Sequence, residues 1–242
     1  MSGAPFAPWA LRGESMIALV RRRGEPPALP PGLLPVPGPA LVAASRYTSS
    51  PVGPYLELLV AVPARLGMRP GWCCTTVITN RQDARIGGRL NWGFPTELGR
   101  LGWYSHDDER ELVWEDRDLV VRGRARGPRL PLGAPTRALQ SRGDGPVVVP
   151  GRFWGRIRWG RMTVQVYPGD ELAWLMGPHA GVLVSGVHQV VREARHPVGL
   201  RATLRAPSRA PETVMRTRAA PVMGSRQDEV HVTELVPEVA LR

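Results

Sequence analysis

The chain has 242 residues, 43% of them hydrophobic, and a formal charge of +11 from 32 basic residues, every one an arginine. A length and apolar content of this order suit one large domain with a real core, and all-β barrels commonly run to this size. The lack of lysine excludes side-chain amine nucleophiles, because a guanidinium stays protonated. The arginines are scattered, and even Arg21-Arg22-Arg23 and Arg122-Arg124-Arg126-Arg129 lack a nucleic-acid module, so we read the charge as a solvated surface that favours anionic small molecules.

Residues 1–11 have little pattern and read as an extended arm. Ser15 to Val20 is an apolar run of strand length, and the seven prolines between Glu25 and Pro39 predict a stiff connection, with Leu33, Leu34 and Val36 turned inward. Ala40 to Tyr47 reads as a strand, followed by a turn at Thr48-Ser49-Ser50-Pro51. The next run, Tyr55-Leu56-Glu57-Leu58-Leu59-Val60-Ala61-Val62, holds a single carboxylate. A charge in such a run is costly unless it is paired or used. Cys73 to Thr79 is β-rich, and Asn80 to Asp83 opens a helical turn. It leads into GGRLNWGFPTEL, residues 87–98, whose paired glycines allow positive φ or close approach and whose Pro95 extends Phe94.

Beyond Gly99 the pattern is that of hairpins. Leu112-Val113-Trp114 and Leu119-Val120-Val121 flank a polar tip at Glu115 to Asp118. Residues 123–146, rich in Gly, Pro and Arg, read as a surface connection. Val147 to Val149, Phe153 to Val166 and Gly181 to Val191 restore the strand pattern, and Val230-His231-Val232 carries a weaker signal near the end. Adjacent Cys73 and Cys74 read as reduced packing residues, and the five histidines do not cluster, so no metal is expected. No Gly-rich phosphate loop or G-x-S-x-G elbow occurs, and no cofactor is expected. No secretory pattern or apolar run of spanning length occurs either, and we expect a cytoplasmic protein with no membrane association.

Three segments in order, LPPGLLPVPG, GPYLEL with Glu57, and GGRLNWGFPTELG, resemble the acetoacetate decarboxylase superfamily, whose last segment has the form G-R-E-x-x-G-(Y/F)-P-K-K-L-G. The resemblance spans about residues 12 to 104. It implies a β-rich α+β fold: one β-barrel-like domain over residues 1–242, with a central apolar pocket and a few peripheral helices. Classical members decarboxylate a β-keto acid through a Schiff base on the first Lys after the Pro. Here Thr96 matches that nucleophile and Glu97 its cationic neighbour, so the amine machinery is missing. Glu57 matches the family's active-site Glu, Arg12 is the nearest match to an N-terminal substrate-binding Arg, and Arg89 matches the Arg of G-R-E. A second family carboxylate would fall near Val42 or Ala43 and is absent.

Two readings stay open at the main candidates. Glu57 is a general acid or base with a pKa raised by burial, or it pairs structurally with Arg46, Arg81 or Arg89. Glu97 is a second pocket carboxylate, or an exposed residue at a helix start. Thr96 positions a water or carbonyl, or caps a helix. Arg12 and Arg89 would hold an anionic group, with Tyr55, Trp92 and Asn91 as further substrate contacts. The expectation is a small-molecule enzyme that works by acid-base chemistry without a Schiff base on a keto-bearing or anionic substrate, or a binding protein on the same barrel. A homo-oligomer is compatible with either.

Overall fold

The computed structural model describes residues 4–21 and 27–197. Arg22, Arg23 and the expected strand at Val230 to Val232 lie outside the described residues. Strands β1 (Trp9–Val20), β2 (Leu34–Pro35), β3 (Ala40–Ser49), β4 (Tyr55–Leu66) and β5 (Arg69–Thr79) precede helix α1 (Gln82–Gly87), a π-helical turn Gly88–Trp92 and β6 (Thr96–Leu98). Then follow β7 (Leu101–His106), β8 (Glu109–Trp114), β9 (Leu119–Ala125), β10 (Leu130–Arg142), β11 (Gly145–Gln165) and β12 (Gly177–Val191). No helix among the described residues is long and apolar enough to cross a membrane.

Antiparallel pairing runs β5-β4-β3-β1-β12-β11-β10, and a parallel bridge between Ala138 and Trp72 joins β10 back to β5. Seven strands thus close into a ring. The last residues of β11, Gly160 to Gln165, keep β12 on one side and take β9 in place of β10 on the other, and β9 continues through β8 to β7. Period-two alternation then gives the shared strands two apolar faces. Met16, Ala18, Val42, Ala44, Leu58 and Val60 pack against Leu112, Trp114, Leu119, Val121 and Met162 in a core between the ring and the β7-β8-β9 extension. Their odd-numbered neighbours, Ser15, Ile17, Ala43, Ser45, Glu57 and Leu59, face a cavity inside the ring. A bulge that adds one residue to β12 opposite Gly13 and Ser15 restores the parity, so Val182 and Gln189 both face the cavity.

Two expected boundaries are corrected. The extended arm ends sooner than residue 11, because β1 begins at Trp9, which is buried. Residues 123–146 are not a surface connection: they end β9, supply β10 and start β11. The Gly, Pro and Arg content of β10 suits an edge, since Leu130 to Arg137 pair with β11 alone and Pro131 and Pro135 owe no N–H to a second neighbour. The proline-rich segment turns Leu33 inward but leaves Leu34 exposed.

The paired glycines are not a positive-φ turn. Gly87 and Gly88 are helical, with φ of −63° and −58°, and the left-handed residue is Gly93 at 72°. The helical pair is required by close approach: a Cβ on Gly87 would lie 2.3 Å from the Trp9 ring, and one on Gly88 would lie 2.4 Å from Thr96 Oγ1.

Candidate functional site

The ring encloses a cavity of about 340 Å³. Its most buried wall is aromatic: Trp9 meets Trp92 edge-on at 5.1 Å, and Trp92 lies 5.6 Å from Phe94. The indole N–H groups are used up on backbone, Trp9 Nε1 donating to Pro5 O at 3.0 Å and Trp92 Nε1 to Arg192 O at 2.8 Å. These rings therefore present only apolar surface to the cavity.

Polar groups cross the wall as a belt on β1, β3, β4 and β12. Ser15 and Ser45 share a hydrogen bond of 2.7 Å, and Ser45 stands across from Glu57 in the β3-β4 ladder. Tyr47 Oη lies 3.5 Å from Glu57 Oε1 and 3.2 Å from Gln189 Oε1. A phenol has one proton, so it donates to one of them at a time. Tyr55 packs on Tyr47 with ring centroids 4.9 Å apart.

Glu57 forms no ion pair among the described residues. Arg46 is engaged with Glu14, Arg89 with Glu97, and Arg81 lies 4.0 Å from Asp83. The surface that Glu57 exposes borders the cavity. Desolvation there pushes its carboxyl up from 4.5 to about 7, against the downward pull of the Tyr47 hydrogen bond. The same burial, together with the charge of Glu57, raises the phenols of Tyr47 and Tyr55 well above their usual value.

Thr96 lines the cavity and is only 2% exposed, and its Oγ1, turned towards Gly88, has no hydrogen-bond partner among the described residues. It is a strand residue on β6, opposite Val77, and not a helix cap. Ala43, next to Val42 at the place where the resembled family carries its second carboxylate, also lines the cavity.

Four expected site residues lie elsewhere. Glu97 follows Thr96 in an extended strand, so alternation turns it outward; its side chain is 67% exposed and lies 3.7 Å from Arg89. Arg89 donates from Nε to Thr96 O at 2.7 Å, which braces the backbone of Thr96 from outside the cavity. Arg12 is exposed because its neighbour Leu11 takes the inward position on β1. Asn91 holds the N-terminal segment, accepting from Ala7 N at 3.3 Å and donating to Pro5 O at 3.0 Å. Glu57, Thr96, Tyr55 and Trp92 are brought together at the cavity; Glu97, Arg12, Arg89 and Asn91 are not.

Sequence reasoning missed Tyr47, Ser45, Ser15, Gln189 and Trp9. A signal was present: Leu41-Ala43-Ser45-Tyr47 and Tyr55-Glu57-Leu59-Ala61 are period-two rows that change from apolar to polar, and antiparallel pairing superposes their polar ends. The cavity's one cation among the described residues, Arg137, was also missed; it is exposed on β10 and donates to Pro70 O at 3.2 Å.

Residues 26–128 match the family model for acetoacetate decarboxylase (ADC). No curated protein matches the chain in sequence. Among solved structures, the chain is similar to the enduracididine biosynthesis enzyme MppR in complex with pyruvate, at 16% identity and TM-score 0.62 over 79% of this chain and 90% of that one. An acetoacetate decarboxylase from Legionella pneumophila subsp. pneumophila str. Philadelphia 1 matches at 16% identity and TM-score 0.58 over 81% and 89% of the two chains. An acetoacetate decarboxylase-like enzyme from Sphingomonas wittichii RW1 matches at 15% identity and TM-score 0.52 over 77% and 91%. These likenesses show the shared fold.

Proposed function

We propose that this chain, an acetoacetate decarboxylase-like protein by its match over residues 26–128 and by its fold, is an enzyme that moves protons on a keto-bearing or carboxylated small molecule without a Schiff base. The observation that carries the reading is Glu57, a carboxyl with no ion-pair partner among the described residues, facing a cavity lined mainly by apolar side chains. A carboxyl poised near neutrality suits both directions of proton transfer. As carboxylate, Glu57 takes a proton from a carbon beside a carbonyl, and the bonding pair moves onto the carbonyl oxygen as an enolate. As carboxylic acid, it returns that proton to another carbon, which is isomerisation, or to a departing hydroxyl, which releases water. Cyclisation and retro-aldol cleavage use the same enolate. Tyr47 Oη is the hydroxyl beside Glu57 available to the enolate oxygen, with Thr96, Tyr55 and Trp92 shaping the wall. One fold neighbour was solved with pyruvate, itself a keto acid.

A binding-only protein is the competing reading, and one observation favours it: with Glu97 in solvent, a single carboxyl among the described residues faces the cavity instead of an acid-base pair. The test is hydrogen-deuterium exchange at the α-carbon of small ketones and keto acids in D2O, followed by NMR. Wild type should speed exchange, and Glu57→Gln should lower that rate by about 10²-fold or more. Ligand-induced thermal stabilisation without Glu57-dependent exchange would sink the enzyme reading. Borohydride treatment with a β-keto acid should leave no covalent adduct, and a stoichiometric adduct would contradict the Schiff-base-free chemistry.

A further inference from the structure

The cavity walls carry a strong charge constraint. Among the described lining residues the ionisable side chains are Glu57, Tyr47, Tyr55, Cys74 and Arg137, and the only cation, Arg137, sits exposed on β10 and not within the belt. Glu57 is faced by Tyr47 from β3, by Tyr55 from its own strand and by Cys74 from β5. Burial raises all three, so none of them ionises around neutral pH. A ligand carboxylate drawn in to Glu57 would give up its hydration and meet no counter-ion there among the described residues. Once Glu57 ionises, the carboxylate would also meet a like charge.

The apolar lining is extensive. Beyond the belt, β1, β3, β4 and β12 contribute half-buried Ile17, Leu41, Leu59 and Val182, and exposed Leu132 of β10 forms a lip. The β10-β5 pairing is confined to Ala138 and Trp72, so the first half of β10 stands free of β5 at this side. A cavity of roughly 150 Å³ accepts benzene, so about 340 Å³ holds a molecule of roughly a dozen heavy atoms. At the belt, Tyr47 Oη lies 3.5 Å from Glu57 Oε1 and 3.2 Å from Gln189 Oε1, so a phenol and a carboxyl stand side by side at this space. An apolar body suits the lining, and one neutral oxygen suits the phenol and carboxyl of the belt.

We propose that the cavity takes an uncharged ketone with an apolar body, its carbonyl oxygen at Tyr47 and Glu57 and its body against Ile17, Leu41, Leu59 and Leu132. This rests on the cavity being the working site and narrows its substrate to the neutral member of the keto-bearing class. A free carboxylate, the anionic alternative, is disfavoured at the belt at any pH where Glu57 is ionised.

A matched pair of probes tests it: 4-phenylbutan-2-one and 2-oxo-4-phenylbutanoate, which differ by a methyl in place of a carboxylate. Binding is measured by calorimetry and tryptophan quenching on the full chain at pH 6 and pH 8. The ketone should bind at least tenfold more tightly than the keto acid at pH 8. That ratio should shrink at pH 6 and in Glu57→Gln, because both reduce the negative charge of the belt. Tyr47→Phe should weaken the ketone about fivefold, and Leu59→Trp, which fills the apolar section, should abolish its binding while circular dichroism and melting confirm a folded chain. Keto acid binding as tight as the ketone at pH 8, and lost in Leu59→Trp, would overturn the neutral-ligand inference while leaving the cavity as the site. Ketone binding unchanged in a folded Leu59→Trp would overturn the cavity assignment itself.

Discussion

Glu57 sits where two demands conflict. Folding removes it from bulk water, which favours the protonated form, and the proposed chemistry requires it to ionise. The consequence for stability has a definite sign. A folded-state value of about 7 against 4.5 in the unfolded chain means that the native state binds the extra proton between those values, so stability falls as pH rises through this window. Below it both states are protonated and the group contributes no difference. Glu57→Gln removes the titration, so the variant should gain on wild type by about 3 kcal/mol between pH 4 and pH 8. Urea unfolding across that range measures the difference. A gap that stays constant with pH would show that Glu57 titrates in its ordinary range. Thr96 is the complementary residue: buried at 2% exposure, its unpartnered hydroxyl packs on Gly88 and carries a local cost.

At the scale of elements, the segment from α1 to β6 is built around contacts that only glycine permits. A methyl on Gly88 would lie 2.4 Å from Thr96 Oγ1, so Gly88→Ala should displace Thr96 or the π-helical turn. Alanine's helix preference is worth at most about 1 kcal/mol, and overpacking costs about 1 to 3 kcal/mol, so a net loss of about 1 to 2 kcal/mol is expected by urea unfolding. Unchanged stability would show that the contact relaxes freely. Most strands were legible, because β1, β3, β4, β8 and β12 bury one face or both with period-two rows of β-branched and aliphatic residues. Strand β10 was not legible. Pro131, Gly133 and Pro135 are loop residues by composition, and they are tolerated only because that half of the strand has one neighbour, a fact of topology and not of local sequence. Glu97 shows the matching limit at the site: likeness to a family placed it beside Thr96, but adjacent residues of an extended strand face opposite ways.

Across the whole molecule, the shared strands separate stability from chemistry. Leu112 is fully buried in the core on the far side of the ring. Leu112→Ala should therefore cost about 2 to 5 kcal/mol while leaving ketone affinity within about twofold, measured by melting and calorimetry on the same protein. Loss of affinity matching the loss of stability would show that the two faces are coupled. The cavity itself was only partly legible, because its belt joins residues far apart in sequence. Tyr47 and Gln189 are separated by 142 positions, and nothing local to Gln189 announces its partner; Glu57 was legible as one carboxylate in an apolar run. The central claim is that this carboxylate is held near neutrality inside the ring. Carbon-13 NMR titration of glutamate-labelled protein tests it without knowledge of the substrate. One side-chain carboxyl should titrate at about 7 and vanish from the spectrum of Glu57→Gln. All glutamates titrating in the ordinary carboxylate range would contradict the account.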